Sequence, residues 1–430
     1  MNAGKTILIK NGRVIDPANN IDDTLHILVE NGRVSKIGKN IKSEAQDIID
    51  ATDKIVMPGL VDMHVHLREP GREDKETIES GTKAALKGGV TTVLAMPNTL
   101  PAIDSPETAG LLKNIIRKTA MANVLMSGAI TKARLGKELT DIAALKKQGV
   151  TAISDDGSSV DDPKLMLEAF KKAKQNKVLV CCHCEDKNLS QNGVVNLGFT
   201  STKMGLRGIS RESEYKRIER DIQLADKAKC PLHVCHVSCR ESVEIIARAK
   251  RKGIKVTCET APHYFSLSEE EVWGYDTNMK MNPPLRSKED VESIRLGLKK
   301  GTIDAIASDH APHTENDKDI EFERAEFGII GLETELAVSI TELVKTGLLD
   351  WSGLVRKNSF NPARILGLNK GNLGVNKDAD IVIVDPDKKW IVSRETVVSK
   401  SKNSPFVGRE LTGAVEYTIY SGEVVYRSAK

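Results

Sequence analysis

The sequence predicts an α/β protein: a TIM-type (β/α)8 barrel carrying a small composite β-sandwich domain formed by the N- and C-terminal segments. Three observations lead there. Between residues 58 and 367, short apolar runs alternate with amphipathic stretches of helix length; the ends of the chain read only as strands and turns; and residues able to ligate metal recur where the apolar runs finish. Eight parallel strands joined by right-handed helical crossovers close into a barrel, and such barrels carry chemistry at the C-terminal ends of their strands. An open doubly wound sheet is the competing arrangement, but it calls for a glycine-rich phosphate loop that the sequence does not supply.

The N-terminal segment alternates apolar runs with turn signals: Thr6-Ile7-Leu8-Ile9, then Asn11-Gly12, then Ile27-Leu28-Val29 and Asn31-Gly32. Asn-Gly between apolar runs favours a hairpin, because both residues tolerate positive φ. The same pattern returns after residue 370, in 379–385, in 417–420 before Ser421-Gly422, and in 423–426. Neither terminal piece has enough apolar surface to fold alone, so 1–57 and 368–430 are expected to pair into one sheet domain around a barrel domain of 58–367. The eight barrel strands are expected at 60–66, 90–96, 124–129, 150–154, 178–183, 232–237, 255–259 and 303–308.

Composition narrows the function classes. With 40% hydrophobic and 29% charged residues, the chain reads as an ordinary globular protein. Its 63 basic and 60 acidic residues leave a net charge of +3, scattered without interleaved aromatics, which argues against nucleic-acid binding. No apolar run approaches a membrane span, and Met1 to Lys10 lack a signal-peptide core, so the expectation is a cytoplasmic protein with no membrane partner. The seven cysteines (181, 182, 184, 230, 235, 239, 258) are odd in number and are expected to be reduced thiols. Cys181-Cys182-His183-Cys184 lacks the flanking Cys-x-x-Cys pairs of a zinc knuckle.

The chemistry concentrates at the predicted strand ends. The first strand finishes Asp62-Met63-His64-Val65-His66-Leu67-Arg68; alternation puts His64 and His66 on one side, where two imidazoles can share a metal. A lone His-x-His says little. Here Asp155-Asp156-Gly157, His183-Cys184-Glu185-Asp186, Cys235-His236 and Asp309-His310-Ala311-Pro312-His313 fall at the ends of further strands, and core packing does not explain a ligand set closing on one mouth.

These residues resemble the amidohydrolase superfamily and, in detail, class I dihydroorotases. The matching segments are 58–71, Ala95-Met96-Pro97-Asn98-Thr99, Asp155-Asp156-Gly157, His183-Cys184-Glu185-Asp186, Met281-Asn282-Pro283-Pro284-Leu285-Arg286 and Asp309-His310-Ala311-Pro312-His313, spread over nearly the whole chain. The resemblance implies one or two zinc ions, with two expected. His64, His66 and Asp309 would hold one ion and His183 and His236 the other, with Asp156 bridging and Asp155 left to support the loop. It also implies reversible hydrolysis of (S)-dihydroorotate to N-carbamoyl-L-aspartate, the third step of pyrimidine synthesis. A metal-bound hydroxide would attack the ring carbonyl and Asp309 would act as the catalytic proton shuttle. Arg68, Asn98, Asn282, His313 and the backbone of Phe327-Gly328 would bind the substrate, Arg68 taking its carboxylate.

Some cyclic amidohydrolases bridge their metals with a carboxylated lysine, but the strand end at 150–156 offers none. This and Arg68 favour dihydroorotase over an allantoinase or a dihydropyrimidinase, and the filled ligand set disfavours an inactive scaffold. Residues 314–327 read as a charged loop over the mouth, in which Glu326 stands where the family pattern has proline, putting the loop's rigidity in question. A homodimer, and association with aspartate transcarbamoylase, are further family-based expectations.

Overall fold

In the computed structural model, which describes residues 6–429, parallel strands at Leu60–Val65, Val90–Ala95, Asn123–Gly128, Val150–Ile153, Leu179–Cys182, Leu232–Val234, Val256–Thr260 and Ala305–Ile306 follow one another in sequence order around a barrel. Each begins within two residues of the expected start, and the sixth ends three residues before the expected end. The seam between the last strand and the first is stitched beyond the regular ladder: the His66 N–H donates to the His310 carbonyl at 2.8 Å, and Asp62 accepts from the Ser308 N–H at 3.2 Å. Closure thus depends on backbone next to the candidate ligands His64, His66 and Asp309.

The crossover helices follow their sequence signals. Pro106–Thr119 and Pro163–Asn176 begin with proline at the first turn, where its missing N–H costs nothing, after Ser105 and Asp162, whose side chains cap free N–H groups. Arg240–Arg251 buries Ser242, Ile245, Ile246 and Ala249 on one stripe and leaves its charged residues outward. The longest crossover, between the fifth and sixth strands, inserts two short helices and a two-stranded ribbon before the helix Arg211–Ala228.

The two ends of the chain join one mixed sheet of eight strands, in which the C-terminal strand Ile381–Ile391 pairs antiparallel with the N-terminal Ile55–Pro58. Ile7, Ile9, Val14, Ile27, Val29 and Val56 share its core with Ile381, Ile383 and Ile419, so neither end covers its apolar face without the other. Two of the predicted hairpins form, at Asn31-Gly32 and Ser421-Gly422. Asn11-Gly12 does not turn the chain. It forms a bulge within the strand Thr6–Asp16, with Asn11 at φ 61°, and the register against Ile21–Glu30 shifts there. A Cβ on Gly12 would lie 2.4 Å from Val56, so this glycine serves close packing rather than a turn. All seven cysteines are free and buried. Among the described residues, no helix is long and apolar enough to cross a membrane.

Candidate active site

Six side chains meet at the C-terminal mouth. Asp156 lies at the centre, with one or other of its carboxylate oxygens 3.2 Å from His64 Nε2, 3.5 Å from His66 Nε2, and 3.7 Å from both His183 Nδ1 and His236 Nε2. Asp309 completes the other side, its Oδ1 3.2 Å from His66 Nε2 and 3.5 Å from His64 Nε2. Every predicted ligand is therefore brought together. Asp155 points elsewhere: it accepts from the Ile130 and Thr131 N–H groups at 2.8 and 3.0 Å and anchors the turn after the third strand.

The donor set tests whether a cation fits. His64 Nε2 and Asp156 Oδ1 are both buried without a hydrogen-bond partner, although they lie close together. Such orphaned polar atoms are costly unless a further group engages them, by about 1–3 kcal/mol each. The ligand atoms of His64, Asp156 and His236, and those of His64, His66 and Asp309, lie within 4.8 Å of one another. Imidazole nitrogens and carboxylate oxygens at that spacing suit a divalent transition metal, so the residues fit.

The surroundings fix the ligands. Glu259, the fourth residue of the seventh strand, bonds His64 Nδ1 at 2.8 Å and His233 Nε2 at 3.1 Å, which leaves His64 Nε2 facing the cluster. Asn98 does the same for His66, with Oδ1 2.8 Å from Nδ1. Glu185 lies between His183 Nε2 at 3.3 Å and Asn282 Nδ2 at 3.2 Å. Sequence reasoning missed Glu259 and Glu185 as supports; Glu259 could have been found from its place at the end of an inward-facing run. Asn98, expected on the substrate, here orients a ligand.

Charge is balanced within this shell. Burial disfavours the ionised form of Asp309, but His64, His66 and His236 outweigh it and hold its carboxyl well below the usual range. Burial likewise opposes ionisation of Glu259, while His233 and His64 bring its pKa down to about 2. The backbone is strained where it presents these groups: Arg68, His236 and Asp309 have φ of 61°, 34° and 49°, in a region unfavourable to residues with a Cβ.

Arg68 is a half-buried cation whose Nε donates to the Pro312 carbonyl at 3.1 Å. Burial draws its pKa down to about 10, with Asp309 and Asp156 opposing, so it stays charged at neutral pH. Its Nη2 lies 3.2 Å from His313 Nε2. His313 is a hub: Nε2 donates to the Phe327 carbonyl at 2.8 Å, and Nδ1 accepts from the Lys75 ammonium at 2.9 Å. Burial and the nearby Arg68, Lys75 and Lys318 push the His313 pKa far below the ordinary value, in keeping with that neutral tautomer. The predicted substrate-binding residues Arg68 and Phe327 are thus linked through His313, Asn282 lies beside Glu185, and Gly328 follows with φ 129° and no room for a side chain.

A parallel barrel with an imidazole and carboxylate cluster at its C-terminal rim defines a metal-dependent hydrolase of the amidohydrolase type. The solved L-hydantoinase (dihydropyrimidinase) from Arthrobacter aurescens superposes over 99% of this chain and 97% of its own, with a TM-score of 0.91 at 27% identity. A dihydroorotase from Elusimicrobium minutum is 53% identical over 97% of this chain and 96% of its own, and one from Geotalea daltonii 50% identical over 98% and 99%. Residues 53–242 match the family described as dihydro-orotase-like. The chain belongs to the dihydroorotase family.

Proposed function

We propose that the protein interconverts dihydroorotate and N-carbamoyl-aspartate, and that the site described above performs this reaction. The observation that best separates this substrate from uncharged cyclic amides is Arg68, a guanidinium that stays charged, makes no ion pair with a carboxylate among the described residues and stands two residues beyond His66. A planar ring carboxylate matches its two terminal nitrogens. With the carboxylate held there, the ring amide carbon is presented to the cluster.

We assign His64, His66, Asp156, His183, His236 and Asp309 to a pair of zinc ions, in line with their mixed nitrogen and oxygen donors. When bound, such ions supply Lewis acidity and lower the pKa of water to about 7. The chain's own residues do the rest. Asp309, ionised at neutral pH, accepts the proton of the attacking water and returns it to the departing ring nitrogen. Asn282 and the backbone at Phe327-Gly328 hold the ring polar groups, and Glu259 and Asn98 keep His64 and His66 in one ring orientation.

Hydrolysis of L-dihydroorotate, dihydrouracil, hydantoin and allantoin by the metal-loaded protein, with a chelated control, tests this reading. Chelator-sensitive turnover of dihydroorotate alone is expected. Turnover confined to the uncharged rings would assign the site to the hydantoinase-like activity named for its structural neighbours.

A further inference from the structure

Two buried lysines lie outside the machinery described so far. Lys280 precedes the Met281-Asn282 segment and Lys318 lies in the loop after the eighth strand; they are 2% and 6% exposed. Lysine is rarely buried this deeply, because removing an ammonium from water costs several kcal/mol unless its donors are satisfied. Here all of them are. Lys280 Nζ donates to the carbonyls of Phe322, Glu323 and Ala325 at 2.8, 2.9 and 2.5 Å, and Lys318 Nζ to those of Glu326, Gly328 and Lys280 at 2.8, 3.0 and 3.4 Å. An ammonium has three N–H bonds, so each group is used completely.

Every one of those six acceptors is a backbone oxygen, and five belong to residues 322–328. The Lys280 ammonium also sits 4.5 Å from the centre of the Phe327 ring, within cation–π range. The Gly328 N–H donates back to the Lys280 carbonyl at 3.0 Å, closing a loop of bonds between the two segments. A stretch that runs without regular secondary structure is therefore fastened at nearly every carbonyl. Burial, joined at Lys318 by repulsion from Lys280, lowers the pKa values of Lys280 and Lys318 to about 8 and about 7, and the carbonyl bonds are what oppose that loss of charge.

We infer that Lys280 and Lys318 form a two-cation clasp whose function is to hold the Phe327-Gly328 backbone, and through it His313 and Arg68, in position for the substrate. They are positioning residues: neither touches the cluster, and each acts through carbonyl groups of the loop. The inference rests on the assignment of Phe327-Gly328 to the substrate, and its test separates the two.

The test is kinetic and proteolytic, on Lys318→Met and Lys280→Met in the metal-loaded protein, with Lys318→Gln as a milder variant should either methionine variant fail to fold. Losing a set of charge-assisted bonds is expected to raise KM for dihydroorotate about tenfold or more while kcat stays within about threefold. A partly unfolded preparation would instead lower kcat at unchanged KM. Trypsin cleavage after Arg324, whose side chain is 70% exposed, is expected to accelerate about tenfold in the same variants. Unchanged cleavage would overturn the clasp itself. Faster cleavage with unchanged KM would overturn its link to the substrate and the assignment of Phe327-Gly328, while leaving dihydroorotate turnover by the unaltered protein to stand on its own assay.

Discussion

Replacing Arg68 by methionine keeps the apolar stem of the side chain and removes the guanidinium, and the structure sets the size of the effect. Nε is committed to the Pro312 carbonyl and Nη2 lies 3.2 Å from His313 Nε2, but each terminal nitrogen has two N–H groups, so at least one on each is left over. Two terminal nitrogens are therefore free to meet a carboxylate, and hydrogen bonds to charged groups contribute about 1.5–3 kcal/mol each. Taking one to two such bonds as lost, kcat/KM for dihydroorotate should fall about 10- to 10⁴-fold, at about 1.4 kcal/mol per tenfold. An uncharged ring such as dihydrouracil never uses those bonds, so whatever slow turnover it shows should change less than about threefold. Ring opening of both substrates, followed for both proteins at equal metal content, gives the comparison, and thermal melting checks that the lost Pro312 bond has not unfolded the loop. Equal proportional losses on the two substrates would refute the assignment of Arg68 to the carboxylate.

Asp309→Asn keeps the shape and removes the proton acceptor; kcat should drop by about 10²- to 10⁴-fold with little change in KM, and a normal kcat would transfer the shuttle role to another group. Glu259→Gln weakens the hold on His64, and metal affinity measured against a chromophoric chelator should decline about 10- to 100-fold; an unchanged affinity would make Glu259 a support of the fold only. Glu214, buried with Arg286 at 3.4 Å and accepting from the Ser238 N–H at 3.0 Å, secures the end of the sixth strand to the segment that follows the seventh. Glu214→Gln leaves a buried guanidinium without its anion and should cost about 3–5 kcal/mol in denaturant unfolding. Burial raises the Glu214 carboxyl, but Arg286 and Ser238 more than compensate, so its pKa is lowered. Its contribution is therefore present above the usual carboxylate range and lost as the pH falls through the folded value. The wild type should lose stability more steeply than Glu214→Gln below about pH 4.3, and parallel curves would refute this.

Periodicity and ligand chemistry made the barrel and its rim legible in advance, because a strand of apolar residues ending in histidine or aspartate carries both signals at once. His64, His66, Asp156, His183, His236 and Asp309 all lie at such ends. The bulge at Asn11-Gly12 escaped because one dipeptide serves a turn or a bulge equally well, and the choice is made by Val56, forty-four residues further along. Asn98 was found as a site residue, but its bond to His66 Nδ1 was not, since the sequence does not give the ring orientation of His66. Lys280 and Lys318 were invisible for a plainer reason. A lysine in a polar loop is ordinarily solvated, and nothing local distinguishes one whose three donors will find carbonyls further along its own loop or in a neighbouring connection.

The left-handed backbone at Arg68, His236 and Asp309 has a consequence for any selection that rewards stability. Glycine or asparagine would relieve strain of order 1–3 kcal/mol at each position, and each replacement would delete a cation, an imidazole or a carboxylate from the mouth of the barrel. Libraries of this scaffold sorted for heat resistance alone will therefore drift toward folded, silent members, and will do so first at the three positions where the chemistry is held.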